Sequence, residues 1–316
     1  MRKLKDFAIV TRDDKHVYIS HKKVIKLQKN EIVEIVIDKL RTGFEAEELY
    51  ELIGEVDTEN LLNILEKHDL LIDFWEHSFL DTIVEKQVYY LEQFNVDPIL
   101  AQAKLNNATV VILGVGGVGS VILQNLLGSG IMNFVVIDSD YVTISNLNRQ
   151  FLYTRESIGR LKIEEAKRYI QSVNNQAQVT CYKKRIEKVE DFAVLDNLQF
   201  DVLVNAADTP STITDLSLKY AKQRDVGFIT GGVGVYSGSW GPFLTNESYE
   251  RNISYSTNYN GQEFDPIKAS LGATNTVISA QMAYDIILFL IGLKPKSFES
   301  IISMNFETTE MKKYPI

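Results

Sequence analysis

The chain has 316 residues, of which 45% are hydrophobic and 24% charged, with a formal charge of -9 and a pI near 5.1. A chain of this length can bury a full core with room for one large and one small domain, while its acidity argues against a broad nucleic-acid or anionic-membrane surface, which would need a basic face. Its single cysteine, Cys181, excludes an intrachain disulfide and a four-cysteine zinc site, and points to a reducing, cytoplasmic setting.

The start, MRKLKDFAIV, has too short an apolar run for a signal peptide. Short strands are expected at 7–10, 17–19 and 24–27, followed by a helix capped by Asn30, with Ile32, Val33, Val36, Ile37 and Leu40 on its apolar side and an end near Gly43. Two more helices follow at 45–53 and 58–67, the second after an Asp57 cap, and then the apolar Leu70–Ile72. Strands ahead of three helices make residues 1–75 a small winged-helix-like α+β module. Such modules often bind DNA, but Glu45, Glu47, Glu48, Glu51, Glu55 and Glu59 crowd its helices. Three readings stand: a peptide clamp that takes a peptide as an added strand, a structural or dimerising module, and a nucleic-acid binder. His16, His21, His68 and His77 are the only histidines and read as surface or packed residues, so everything beyond residue 77 lacks Ser-His-Asp, Cys-His and histidine-ligated metal chemistry. A helical connector occupies 76–105, with Asp97 as N-cap and Pro98 in the first helical position.

Residues 106–316 alternate: strands near 109–113, 133–137, 179–185, 201–205 and 226–230, helices near 118–127, 162–173 and 212–223. That order makes a doubly wound α/β, Rossmann-like, mostly parallel sheet, whose sites lie at the carboxyl ends of its strands. Residues 231–272, rich in Gly, Ser, Asn and Tyr, read as a flexible loop region covering that edge. The apolar stretch Val277–Leu293 is interrupted by Gln281 and Asp285 and reads as a buried or interface helix, too short to span a bilayer.

Between the first two of these strands and beyond runs VILGVGGVGSVILQNLLGSGIMNFVVIDSDYVTISNLNRQ, residues 111–150. Gly114, Gly116 and Gly119 alone satisfy the NAD fingerprint, so an NAD-dependent dehydrogenase stays open. Gly117 adds a fourth glycine, Asp138 ends the next strand where a carboxylate can take both ribose hydroxyls, and Asn146 and Arg149 follow. Amide and cationic donors clustered there suit attack on the α-phosphate of ATP better than mere holding of NAD. Cys181, inside the β-prone Val179–Tyr182, reads as an ordinary buried cysteine.

The GVGGVGS turn, the Asp138–Asp140 pair, Ser145-Asn-Leu-Asn-Arg-Gln150, Gly159-x-x-Lys162 and Ala206-Ala-Asp208 together resemble the ThiF/MoeB adenylating family, to which ubiquitin-activating enzymes belong. Phe94–Leu105 and the small domain ahead of it are similar to the peptide-adenylating enzymes of microcin maturation. The resemblance implies ATP and Mg²⁺, with Gly114, Gly116, Gly117, Gly119, Asp140 and Gln150 around the nucleotide, Asp138 on the ribose, Asn146, Arg149 and Lys162 on the phosphates, and Asp208 on magnesium. Arg149, Lys162 and Asp208 are then the catalytic set. A surface Lys162, on a solvated helix face with Glu164, Glu165 and Lys167, and an Asp208 that merely caps the next helix are the plainer alternatives. Many members bind zinc through two CxxC pairs; Asn246–Glu250 and Thr308–Lys312 stand in those regions here, so no zinc is expected. Members also reach into the partner's ATP site with an Arg-Gln pair, for which this chain has Lys86-Gln87, implying a homodimer with Lys86 acting in trans. The implied partner is a ribosomally made precursor peptide whose leader binds residues 1–75, with no role for nucleic acid or membrane. Its carboxyl or carboxamide would be adenylated, with dehydration or cyclisation as a further outcome; a ubiquitin-like sulfur carrier ending in Gly-Gly and a non-enzymatic peptide scaffold remain the alternatives.

Overall fold

In the computed structural model, which describes residues 1–251 and 268–316, the chain divides into two units, Met1–Ala103 and Lys104–Ile316. The first begins with a strand that the sequence did not signal, β1 (Arg2–Leu4). Next come β2 (Ile9–Arg12), β3 (His16–Ser20) and β4 (Val24–Gln28), an antiparallel meander in the order β2-β3-β4. Alternation on β3 turns Val17 and Ile19 into a core with Val36, Ile37 and Leu40 of α1 (Glu31–Thr42). Asn30 caps α1 by accepting from Val33 N at 2.8 Å, and Gly43, at φ 105°, closes it. Beyond α2 (Ala46–Ile53), α3 (Glu55–Lys67) starts three residues ahead of the expected helix, so Asp57 lies in its first turn and does not cap it. β5 (Leu71–Asp73) returns to pair antiparallel with β1.

Residues 76–103, read from the sequence as a helical connector, group with residues 1–75 in the first unit. They include α4 (Glu85–Leu91) and the start of α5 (Pro98–Asn107). Asp97 Oδ1 accepts from Ile99 N and Leu100 N at 2.8 and 3.0 Å, as an N-cap ahead of Pro98 should. The ties within this unit are ionic as well as apolar. Lys5 Nζ, fully buried, donates to Asp69 Oδ1 at 2.7 Å and Asn95 Oδ1 at 2.5 Å. Glu92, also fully buried, accepts from Trp75 Nε1 at 2.8 Å and Asp6 N at 2.6 Å, with Lys3 Nζ 3.4 Å away. Burial, reinforced by the charge of Asp6, pushes the Glu92 carboxyl up to about 7.

The second unit is an eight-stranded sheet. Its strands are β6 (Thr109–Leu113), β7 (Asn133–Ile137), β8 (Gln178–Tyr182), β9 (Val202–Asn205), β10 (Gly227–Val233), β11 (Ser237–Leu244), β12 (Ser300–Asn305) and β13 (Met311–Pro315). They lie in the order β13-β12-β11-β10-β9-β6-β7-β8, parallel from β8 to β10 and antiparallel beyond. α6 (Gly119–Gly128), α7 (Lys162–Val173) and α8 (Ile213–Arg224) are the crossovers, all within two residues of expectation. Because β7 and β8 build to one side of β6 and β9 and β10 to the other, the winding reverses between β6 and β9, where a crevice opens at the carboxyl ends.

The C-terminal third departs from the sequence reading. Much of the expected loop over 231–272 is ordered: Gly231–Val233 ends β10, 237–244 is β11, and α9 (Asn246–Glu250) follows. The remainder of that expectation, 252–267, lies outside the described residues. Glycine and serine hid the strands from a propensity argument, yet pairing with neighbours on both sides holds β11 in the sheet. α10 (Gly272–Leu290) packs on α6, β10 and β11 and buries Ile278, Met282, Ile286 and Leu288 within its own unit. Much of its apolar stretch is therefore covered within the chain, while Val277 is exposed and Ile287, Phe289 and Leu290 are half-buried. Asp285 on this helix is fully buried and accepts from Lys296 N at 2.6 Å and Ser297 N at 2.9 Å, fastening the turn ahead of β12.

Candidate active site

A cavity of about 1090 Å³ occupies that crevice, at the upper end of small-molecule sites. Gly114 leaves β6 at φ 86°, which favours glycine, and a Cβ there would press on the backbone of Ala206 and Ala207, so the turns after β6 and β9 touch. A Cβ on Gly119, at the start of α6, would overlap Gly114 O, while Gly116 has room above it. Gly114, Gly116 and Gly117 line the cavity and Gly119 supports the turn from behind. The first turns of α6, α7, α8 and α10 contribute Val118, Lys162, Ile213 and Asn275 to the wall. The N-terminal turns of four helices thus border one space, where the positive ends of their dipoles favour an anion.

Asp138, at the end of β7, accepts from Val115 N through Oδ2 and from Asp140 N through Oδ1, both at 2.8 Å. It therefore anchors the glycine turn, with lone pairs left for a ligand hydroxyl. Asp140 Oδ2 accepts from Lys162 Nζ at 2.8 Å. Lys162 is 6% exposed, its side chain turned into the cavity wall, so the solvated-face reading fails: Glu164 and Lys167 point out while residue 162 points in. Asn146 Oδ1 accepts from Thr143 N, and Arg149 Nη1 donates to Ser145 O and Asn148 Oδ1 at 2.9 Å, leaving the other N–H groups of a half-buried guanidinium for a ligand. Gln150 is 3% exposed, lines the cavity, and its Oε1 has no donor among the described residues.

Asp208 stands exposed on the turn after β9 and lines the cavity. It does not cap α8, which begins after Thr212, and no donor reaches its carboxylate among the described residues. Among those residues no group of three His, Cys, Asp or Glu side chains is placed to hold a metal ion. One free carboxylate beside a phosphate turn nonetheless suits Mg²⁺, which binds through one or two carboxylates and completes its shell with phosphates and water.

The sequence reading missed the residues that set this turn. Asn205, 1% exposed, donates to Thr214 Oγ1 at 3.1 Å and Thr230 Oγ1 at 3.2 Å and accepts from Ala207 N at 3.3 Å, fixing the backbone ahead of Asp208. An asparagine closing the apolar strand Val202–Val204 was the available signal. Asn275 gave no signal, being part of a distant helix. Its Nδ2 donates to Ser270 Oγ and Leu271 O, and its Oδ1 fills the place a Cβ of Gly117 would take. Lys184 and Arg185, after β8, also line the cavity. Cys181 is half-buried, its Sγ 3.4 Å from Ile163 O, and burial pushes its thiol up, away from the reactive thiolate. Lys86 lies in the first unit, exposed, with Nζ 2.6 Å from Glu85 Oε1.

Comparison with known proteins places this geometry in context. The chain is similar to the adenylyltransferase and sulfurtransferase UBA4 of Debaryomyces hansenii, with 38% identity over 123 residues, 38% of this chain and 27% of that protein. UBA4 of Kluyveromyces lactis is 31% identical over 179 residues, 54% of this chain and 40% of that protein. The matched stretch thus spans less than half of these relatives. Among solved structures, E. coli MccB with ATP matches at a TM-score of 0.82 and 23% identity over 99% of this chain and 96% of that one. MccB with MccA-N7isoASN gives 0.82 at 22% over the same shares, and PaaA gives 0.74 at 20% over 98% of each chain. At such identities the likeness is one of fold. The sequence model of the ThiF family matches residues 85–316, well over half of the chain and all of the unit that carries the cavity, and the chain belongs to the ThiF family.

Proposed function

We propose that the chain is an ATP-dependent adenylyltransferase that activates a carboxyl or carboxamide group of a ribosomally synthesised precursor peptide and releases pyrophosphate. The observation that carries this reading is the meeting of the glycine turn, four helix N-termini, Arg149, Lys162 and the free carboxylate of Asp208 on one cavity at the winding reversal. An oxygen of the substrate attacks the α-phosphorus of ATP, the new P–O bond forms, and the bond to the β-phosphate oxygen breaks. The protein's part is positioning and charge neutralisation, through donors that need no reorganisation when charge moves onto the leaving group. Arg149 and Lys162 face the phosphates, Asp138 the ribose, and Asn205 keeps the turn of Asp208 in place. Asp208 would hold magnesium, which supplies charge neutralisation to the leaving pyrophosphate.

The peptide assignment has support from the first unit. The likeness to MccB covers 99% of the chain, whereas the two UBA4 relatives match 38% and 54% of it. In the meander β2-β3-β4 the outer sides of β2 and β4 have no strand partner among the described residues, so an extended leader peptide has an edge to join. In this reading the first unit is the leader clamp, the enzyme works in the cytoplasm as a homodimer, and Lys86 completes the partner's site. No helix of the described residues is long and apolar enough to cross a membrane.

The UBA4 relatives favour a second substrate, the Gly-Gly tail of a ubiquitin-like sulfur carrier. The sole cysteine argues against further transfer of sulfur or an acyl group on this chain, since its thiol is bonded and pushed up. Exchange of labelled pyrophosphate into ATP decides between them. A precursor peptide encoded beside the gene should stimulate exchange, and a Gly-Gly-ended carrier should not; the reverse pattern transfers the enzyme to the second reading, and exchange with neither overturns both.

A further inference from the structure

We infer that Asp140 is a positioning residue that competes with pyrophosphate for Lys162, holding the lysine when the site is empty and reclaiming it as product leaves. The inference rests on the adenylation reading and adds control of product release to it.

The two partners of this ion pair are unlike. The Lys162 side chain is 7% exposed and that of Asp140 65%. A buried ammonium without a counter-charge is costly, so an empty site needs an anion beside it. Asp140 supplies that anion, with Oδ2 2.8 Å from Nζ. Its backbone is fixed at both ends: Asp140 N donates to Asp138 Oδ1 at 2.8 Å and Asp140 O accepts from Lys162 N at 3.0 Å. Only the Asp140 side chain is free to turn, and water lies on its far side, so releasing Lys162 to a phosphate oxygen exposes the carboxylate at little cost. Lys162, enclosed by the wall, stays where it is. One ammonium thus has two alternative anionic partners, and the protein's own carboxylate sets how tightly the other is held.

The sign of the effect separates this role from its rivals. With Asp140→Asn, Lys162 loses its resident counter-charge, and pyrophosphate measured by calorimetry in magnesium buffer should bind about three- to tenfold tighter, the scale of one charge-assisted hydrogen bond. KM for ATP should fall in the same direction, and kcat should fall as product release slows. Asp140→Glu should restore pyrophosphate affinity toward wild type. In Lys162→Met, adding Asp140→Asn should produce no tightening. Unchanged or weaker pyrophosphate binding in Asp140→Asn overturns the inference, the weaker result making Asp140 a ligand of the pyrophosphate side. Because Asp140→Asn leaves the buried Lys162 without its counter-charge, the thermal midpoint of the empty variant should fall below wild type, and saturating pyrophosphate should restore it. If wild-type protein binds neither ATP nor pyrophosphate, the adenylation reading falls and takes this inference with it; if wild type binds both and Asp140→Asn behaves identically, this inference falls alone.

Discussion

Lys5 and Lys162 are both buried lysines, and the two units of the chain hold them in opposite ways. In the first unit the polar network closes on itself: Lys5 has Asp69 and Asn95, while Glu92 has Trp75, the Asp6 amide and Lys3. In the second unit Lys162 has one acceptor, which is itself exposed. Beside it on the cavity, Gln150 Oε1 and the Asp208 carboxylate have no donor among the described residues. Buried polar groups that saturate one another fasten elements together, whereas polar groups left open around a cavity are prepared for a ligand that completes them. The contrast between the two lysines agrees with the glycine motif in favouring the cavity of the second unit as the candidate site.

The largest effect is expected from opening the site further. Asp208→Ala should lower pyrophosphate exchange on the order of 10³-fold, the scale of losing a preorganised charge contact in the transition state, with a thermal midpoint close to wild type. Activity within about threefold of wild type would remove Asp208 from the chemistry. Arg149→Ala and Lys162→Ala come next, each costing on the order of 10²-fold in kcat/KM; a loss confined to melting temperature would place Lys162 with the closed, structural lysines.

The closed network should respond to pH through Glu92. The Glu92 carboxyl, raised by burial and by Asp6 to about 7, takes up its proton on folding. Its stabilisation is therefore complete below the ordinary carboxylate range near 4.5 and is lost as pH rises through about 7. Denaturation of a Trp240→Phe variant, in which Trp75 alone reports, should lose about 1–3 kcal/mol between pH 5 and 8 relative to the same variant carrying Glu92→Gln. Parallel curves would show that Glu92 stays ionised beside Lys3. The smallest effect belongs to Cys181→Ser, for which exchange activity should stay within about twofold of wild type. A tenfold loss, or a product trapped on the thiol, would revive a covalent transfer step.

The glycines, the carboxylates and the basic residues of the site were legible because each obeys a local rule. Gly114 needs its positive φ, Asp138 ends a strand, and Asn146 and Arg149 follow within one short turn, so distance along the chain translates into distance in space. The parallel strands and their crossover helices were legible too, since continuous apolar runs alternating with amphipathic ones bury both faces of a sheet. Local pattern failed where pairing came from afar. β11 is written in Ser, Gly and Trp and β13 in exposed residues, so their strand state follows from the neighbours that hydrogen-bond to them. β1 likewise exists because Leu71–Asp73 returns to it.

By itself the sequence determined the order of the parallel strands and their crossover helices, the position of the glycine turn and the acidic and basic residues around it, because propensity, capping and glycine conformation act over a few residues. Tertiary structure alone decided which of those charges are closed and which open. Asp140 neutralises Lys162 across 22 positions and Asn205 meets Thr230 across 25, while Asn275 arrives at Gly117 from the far end of the chain. Whether a buried polar atom is paired depends on what the fold brings within hydrogen-bonding distance, and a linear pattern does not encode that distance.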